Sequence, residues 1–483
     1  MGLLGILLAL GVLMWLSFRG WSVLLLAPAA ALLVAAFSAE PLLPHWTATF
    51  MGSAAGFVAQ FFPLFLLGAL FGKLMEDSGS VAAIARYMTA TLGTGRATLA
   101  VVLAGALVTY GGVSLFVAFF VIGPMAQALF QAADIPRRLM PAAIALGTTT
   151  FTMTAMPGTP AIQNAIPMPF FGTTPFAAPG LGLIASAIML AFGLAWLAYA
   201  ERGARRRGEG FAAVAADVSE VASDPLVRER ATTASTFDPP EAGRGRISAR
   251  EPGFIVAIAP LVVVVAANLL MSFVVLPRLD LTFLEEERWA GLSLAGSSGV
   301  WSVLVALVCA IAALLLLNRS RLAAVRESMD AGANAAVLPV LSVASLVGFG
   351  AVVAAMPAFE LVRDWVLSIQ GGLLVSLALS TNILAALTGS ASGGMTIALD
   401  ALGATYLALA EAQGMDPAVL HRVAAIAAGT LDSLPHNGAI VTLLAVCGTT
   451  HRDSYFHIAM AVIVGPIVAL GAIIGLGSAF GSF

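Results

Sequence analysis

Apolar stretches of 18 or more residues recur along the whole chain, and short polar breaks interrupt several of them. Such runs predict membrane-spanning helices, because about 20 apolar residues cross a bilayer. In the first half, helices are expected over 3–18, 21–37 and 51–75, followed by an amphipathic connector over 76–92. The apolar stretch 97–130 is broken at 109–114. The next helix starts near Met140 and breaks over 155–164, and a closing helix covers 181–199. The second half offers helices over 253–276 and 289–317, a basic connector over 319–335, a helix over 336–356 and an amphipathic stretch over 359–369. The stretch 373–409 is broken at 388–394. The helix from Arg422 breaks over 429–438, and the last helix covers 457–480. Between the halves, residues 201–252 carry Arg205, Arg206, Arg207, mixed charge and few large apolar side chains. That composition reads as a soluble linker. The chain therefore divides into 1–200, 201–252 and 253–483.

Composition turns this pattern into a class. The chain has 483 residues, of which 60% are hydrophobic and only 10% charged, with a mean hydropathy of +0.97. That is too little charge to cover a soluble protein of this size. A net charge of −3 gives no reason to expect nucleic acid as a partner. Cys309 and Cys447 both lie in apolar segments and read as small core residues rather than a disulfide. No cluster has metal-ligand spacing, and no Gly-rich phosphate loop precedes a Lys. No cofactor is therefore expected, and membrane lipid is the expected surrounding. The first apolar run lacks a basic start and a cleavage site, so it reads as a spanning helix rather than a signal peptide.

Basic residues set the orientation. If the stretches broken at 109–114 and 388–394 are re-entrant hairpins, all but Arg278, Arg288, Arg363 and Arg422 of the 23 Lys and Arg fall on one side. That side is read as the cytoplasm, with both termini outside and the 201–252 linker inside, in a cell inner membrane. The halves also match in order: three helices, a connector, a hairpin, a broken helix and a closing helix. Gly105-Ala-Leu-Val-Thr109 echoes Leu384-Ala-Ala-Leu-Thr388, and Ala143-Ile-Ala-Leu-Gly-Thr148 echoes Ala425-Ile-Ala-Ala-Gly-Thr430. Five spans per half would invert the second copy. The expected fold is thus an all-α polytopic membrane protein of two inverted repeats, with about ten spanning helices, two hairpins and two broken helices. Such a fold places a substrate near the midplane and moves it by alternating access.

Four stretches carry a family resemblance: Gly68-Ala-Leu-Phe-Gly-Lys-Leu-Met-Glu-Asp-Ser-Gly79, Pro157-Gly-Thr-Pro-Ala-Ile162, Thr388-Gly-Ser-Ala-Ser392 and the Pro435-His-Asn-Gly438 region. Through them nearly the whole chain resembles the gluconate permease (gluconate:proton symporter) family of the ion transporter superfamily. The resemblance implies a proton-coupled importer of small hydroxylated carboxylates, built as an elevator-type transporter and forming a homodimer. Its energy source would be a proton gradient. Family members tend to carry an acid near the first hairpin tip and a histidine in the first broken helix. This chain has Tyr110-Gly-Gly-Val-Ser114 and Met156-Pro-Gly158 there. A smaller acid such as a hydroxybutyrate is therefore as good an expectation as gluconate. The Ser-Asn-Thr tips of sodium-coupled relatives are absent, which favours protons.

A carboxylate at mid-membrane needs hydrogen-bond donors, and broken helices supply backbone N–H groups with a partial positive charge. Thr109, Ser114, Thr159, Gln163, Asn164, Thr388, Ser390, Ser392, Ser433, His436 and Asn437 are the expected substrate-binding side chains. Taken singly, each Ser or Thr better suits a helix–helix hydrogen bond, and it is the tip clusters as a group that point to a site. Coupling needs a titratable group. Asp432 and His436 are the expected pair, four apart and on one face if helix continued through Pro435. Burial penalises a charged carboxylate, which suits Asp432 to carrying a proton. Asp400 is expected to bond within the hairpin domain, Glu76 and Asp77 to be solvated or at a hinge, and His45, His421, His451 and His457 to sit at membrane edges. The alternatives are export or antiport on the same fold, a channel, and a membrane-embedded enzyme using Asp432, His436 and Ser433.

Overall fold

A computed structural model describes residues 2–18, 21–211, 247–248, 250–280, 284, 289 and 294–483 apart from 436. Every regular element among them is helical. The expected linker lies mostly outside the described residues, as does His436.

The chain opens with α1 (Gly2–Phe18) and α2 (Val23–Phe37), then the long α3 (Leu42–Asp77). At 17 and 15 residues, α1 and α2 rise only about 22–26 Å, short of a ~30 Å hydrocarbon core. Among the described residues eight helices are long and apolar enough to cross a membrane, or nine with one bent pair, where ten were expected. Helix α3 begins nine residues earlier than its apolar run, because a π-helical turn over His45–Phe50 leads into it without a break.

Amphipathic α4 (Ser80–Leu92) meets α5 (Ala97–Tyr110) at a bend of 100° between Ser80–Leu92 and Thr94–Tyr110. Gly93, at φ +65°, accommodates it. Helix α5 turns at Gly111–Gly112 and packs against α6 (Leu115–Ala132), whose first turn is capped by Ser114 accepting from Phe116 N at 3.2 Å. Next come the pieces of the first broken helix: α7 (Met140–Thr148), one-turn α8 (Phe151–Thr154), α9 (Ile162–Ala165) and α10 (Pro167–Phe171). The closing helix α11 (Pro179–Arg206) runs one to two turns into the expected linker. Arg205 and Arg206 fall in its last turn, where cations complement the helix carbonyls.

The second half starts with α12 (Phe254–Arg278) and α13 (Leu294–Leu317). Its third helix, α14 (Val325–Ala354), is continuous and absorbs most of the expected basic connector. Amphipathic α15 (Phe359–Leu367) precedes α16 (Leu373–Thr388) and α17 (Ala391–Ala412), which pack together as a hairpin. Their approach is backbone-close near the tip. A Cβ on Gly394 would lie 2.2 Å from the backbone N of Ala385. The returning arms α6 and α17, at 18 and 22 residues, are each long enough to cross a membrane by themselves. The hairpin description therefore rests on the mutual packing of the arms. The chain ends with α18 (Pro417–Ala428), α19 (Gly438–Val446) and α20 (His451–Phe480).

Two packing groups emerge. Helices α2, α3, α12, α13 and α14 form one, with α3 against α14 as the largest contact. The hairpins, the broken helices, α11 and α20 form the other. Contacts of α14 with α17 and of α13 with α10 join them.

At the α3–α14 contact, Lys73 Nζ lies 3.0 Å from Glu76 Oε2 and 3.1 Å from Asp77 Oδ1. Ser328 Oγ donates to Asp77 Oδ2 at 2.6 Å. Glu76 and Asp77 are buried, not solvated as expected. The reason is that α14 packs over the end of α3 and Lys73 neutralises one of the charges.

Candidate functional site

The first broken helix comes apart sooner than proline and glycine predict. Thr148, Thr149 and Thr150 each donate a side-chain hydrogen bond to the carbonyl four residues back, at 2.7–2.9 Å. Such back-bonding competes with the helix ladder and bends helices. Helix α7 stops there, at the start of the threonine run, rather than at Pro157. Beyond α8 the backbone stays non-helical to Ala161. In the second break Asp432 lies in no helix, so the helical continuation through Pro435 on which a shared face depended does not form. Pro435 and Gly438 account for that. Asn437 restarts the helix by accepting from Ala439 N at 2.6 Å. Its amide donates to Gly389 O, in the α16–α17 tip, at 3.1 Å and to Asp432 O at 2.9 Å. Asn437 thus ties the second break to the second hairpin.

These elements line a cavity. The first break supplies Thr149, Met153, Thr154 and Gln163, and the second hairpin tip Ser390 and Ser392. The second break supplies Asp432, Ser433 and Asn437, and α6 contributes Leu115. Ser390 caps α17, accepting from Gly393 N at 3.2 Å. Ser433 donates to Asp432 Oδ1 at 3.0 Å. Gln163 Oε1 and Ser392 Oγ are buried on the wall without a hydrogen-bond partner. Buried polar atoms are rarely left so, and a ligand is one way to satisfy them.

Of the expected substrate-binding residues, Gln163, Ser390, Ser392, Ser433 and Asn437 meet on this wall together with Asp432. The others among the described residues are not on it. Thr109 donates to Gly105 O at 2.9 Å and Thr152 Oγ1 at 3.0 Å, and borders a separate, mostly apolar cavity of about 440 Å³ against α3. Ser114 is a helix cap. Thr159 donates to Tyr110 O and accepts from Ala161 N. Asn164 donates to the carbonyls of Thr159 and Pro175, both at 3.0 Å. Thr388 donates to backbone carbonyls of its own hairpin. Ser114, Thr159, Asn164 and Thr388 thus bond to backbone groups at the breaks and tips. His436 lies outside the described residues.

The sequence reading missed Thr149, Thr154 and Arg422. The triple threonine was the available signal for Thr149. Arg422 and His421 are fully buried rather than at a membrane edge. Arg422 donates to Ala177 O at 3.1 and 2.7 Å, to Thr154 O at 3.2 Å and to Asn164 Oδ1 at 3.1 Å. His421 pairs with Thr173 Oγ1 at 2.6 Å and Asn164 Oδ1 at 3.2 Å. Arg422 has no carboxylate partner among the described residues. Its guanidinium stands directly behind Thr154 on the cavity wall and leaves an uncompensated positive charge there. Asp400 is exposed on α17 and bonds to nothing among the described residues. Its position on the outer face of α17 keeps it from the hairpin interior. His457 is largely buried and contacts Arg138.

Known proteins fit this architecture. A family model described as GntP family permease matches residues 1–174. The chain is 41% identical over 489 residues, covering all of both chains, to a Bacillus subtilis (strain 168) protein named "Uncharacterized transporter YxjC". Among solved structures, the Alcanivorax borkumensis YdaH transporter aligns with a TM-score of 0.55 at 16% identity, covering 91% of this chain and 90% of its own. Neisseria gonorrhoeae MtrF aligns with a TM-score of 0.53 at 13% identity, covering 92% and 86%. At such identities the likeness concerns the fold. The apolar helices, the full-length relative and the family model converge: the chain belongs to the GntP permease family and is a multi-pass membrane transporter, not an enzyme.

Proposed function

We propose that the protein is a secondary active transporter that imports a small organic hydroxycarboxylate, such as gluconate or a hydroxybutyrate, by proton symport. The observation that carries this reading is the cavity itself. It joins two unpartnered buried polar atoms, Gln163 Oε1 and Ser392 Oγ, with the carboxyl of Asp432. The Ser392 hydroxyl and the Gln163 amide are suited to a carboxylate, and Gln163 Oε1 to a substrate hydroxyl. The charge of Arg422 favours an anion over a neutral sugar.

Asp432 is the proton carrier in this reading. When its carboxyl is protonated, the cavity holds one negative charge fewer and accepts the anion. When it is ionised, repulsion favours release. The halves act as inverted repeats. The group of hairpins and broken helices moves against the α2–α3–α12–α13–α14 scaffold, which forms the contact of a homodimer in the cell inner membrane. Both termini face outward and the 201–252 linker faces the cytoplasm.

Uptake of labelled gluconate and 3-hydroxybutyrate into proteoliposomes, with and without an inward proton gradient, tests this. Wild-type protein should accumulate one of them only with the gradient. Asp432→Asn should lose gradient-driven accumulation while keeping exchange of internal for external substrate. Full accumulation by the variant overturns the role of Asp432. Loading the vesicles and reversing the gradient tests export on the same fold.

A further inference from the structure

We propose a second binding site, for the phosphate of an anionic phospholipid headgroup, where the ends of α11 and α20 meet. A pocket lies there, lined by other residues than the transport cavity. Arg138, Arg202, Arg206 and Arg207 line it, with the aromatic rings of Trp196 and Phe456. Glu209 is the one carboxylate paired with these arginines among the described residues. It accepts from Arg138 Nη2 at 2.8 Å and Arg207 Nε at 2.7 Å. The two guanidinium groups hold its carboxyl at about 2, well below the usual range. Four cations facing one acid leave a strongly positive pocket, and guanidinium forks match phosphate oxygens.

Two buried donors in the pocket lack acceptors. Arg138 can only donate, so its contact with His457 Nε2 makes that nitrogen the acceptor and puts the imidazole proton on Nδ1. His457 Nδ1 has no partner, and His457 is only 8% exposed. Trp196 Nε1 is likewise buried without a partner. Its ring lies 5.6 Å from that of Phe456 and 6.1 Å from that of His457. Two buried ring nitrogens without partners thus stand in the wall of a pocket that four guanidinium groups line.

The source of the phosphate follows from position. The pocket sits at the last turn of one apolar span and the first turns of another. Tyr199 and Phe456 are 65% and 63% exposed on its rim. Exposed aromatic rings beside arginines at span ends suit the headgroup level of a bilayer, and basic pockets between helices recognise anionic headgroups.

The test uses the full chain in nanodiscs of phosphatidylcholine, alone or mixed with phosphatidylglycerol. Native mass spectrometry reads retained lipid. Wild-type protein should retain phosphatidylglycerol over phosphatidylcholine. Arg202→Gln with Arg206→Gln should lower that retention roughly tenfold or more, at about 1 kcal/mol per removed cation. Trp196→Phe keeps the ring and removes only the indole donor, so it tests the site should the double variant fold poorly. It should also lower retention. Displacement by inorganic phosphate would keep the phosphate site and assign it a soluble source. Equal retention of both lipids by wild type, or unchanged retention in both variants, overturns the proposal.

Discussion

Arg422 illustrates what a residue can do that its neighbours in sequence do not reveal. Its acceptors are the carbonyls of Thr154 and Ala177 and the side chain of Asn164, all some 250 positions away. Local pattern therefore reads it as a charge at a helix start. The same holds for Asn164, which a break motif marks as a ligand and the packing marks as a bracket. Asn437 and Ser390, marked by the sequence as binding residues, are also helix N-caps, a local role that their place just before a helix start could have shown. Arg422→Leu should destabilise the folded protein by about 3 kcal/mol, since buried carbonyls at Ala177 and Thr154 lose their donors. Arg422→Lys retains the charge but not the planar fork. It should recover part of the lost thermal stability in detergent while still raising KM for uptake. Identical melting and KM in wild type and both variants would contradict the role given to Arg422. Ser392→Ala removes a hydroxyl that bonds to nothing in the protein, so folding should be unaffected. If Ser392 binds the substrate carboxylate, KM should rise roughly tenfold or more, the value of a hydrogen bond to a charged group. An unchanged KM would take Ser392 out of the site.

At the level of elements, apolar runs foretold most helices, and the breaks foretold all four irregular segments, though the first broken helix comes apart earlier than Pro157 marks. Boundaries were less legible where two kinds of signal overlap. The stretch 319–335 looks like a surface connector because it carries Arg319, Arg321 and Arg326, yet helix begins at Val325 and continues to Ala354. Its small residues Ala331, Gly332, Ala335 and Ala336 are buried, which only packing against α3 explains. Glycine spacing likewise encodes contact rather than flexibility. Gly394 stands one turn inside α17, and its missing side chain is what lets α16 lie against it. A methyl group there would meet the backbone N of Ala385 at 2.2 Å, a separation no rotamer change relieves. Gly394→Ala should therefore push the hairpin arms apart and shift Ser390 and Ser392 with them. The expected result is a protein that reaches the membrane but has lost at least about tenfold in kcat/KM, a change of about 1.4 kcal/mol. Gly414 makes a control at the far end of α17. It has φ +67° and no atom within 4 Å of an added Cβ, so Gly414→Asn should transport normally.

For the whole molecule, the question is whether the two packing groups slide past one another. Helix α14 belongs to the scaffold through α3, and α17 belongs to the group that carries the cavity. Their contact includes Gly350 against Ile397, where a Cβ on Gly350 would lie 3.1 Å from Ile397 Cγ2 and 3.6 Å from its Cα. Two cysteines at these positions fall within reach of a disulfide, because replacing the isoleucine removes the crowding atoms. The native thiols Cys309 and Cys447 would first be replaced by serine and alanine, leaving one possible cross-link. Gly350→Cys with Ile397→Cys should transport when reduced. Oxidation should fix the cavity group in the arrangement described here, stopping net uptake while leaving substrate binding from one side intact. Reduction should restore uptake. If mass spectrometry finds the disulfide complete and uptake continues at the reduced rate, α17 does not move along α14, and alternating access in this protein must work by another route.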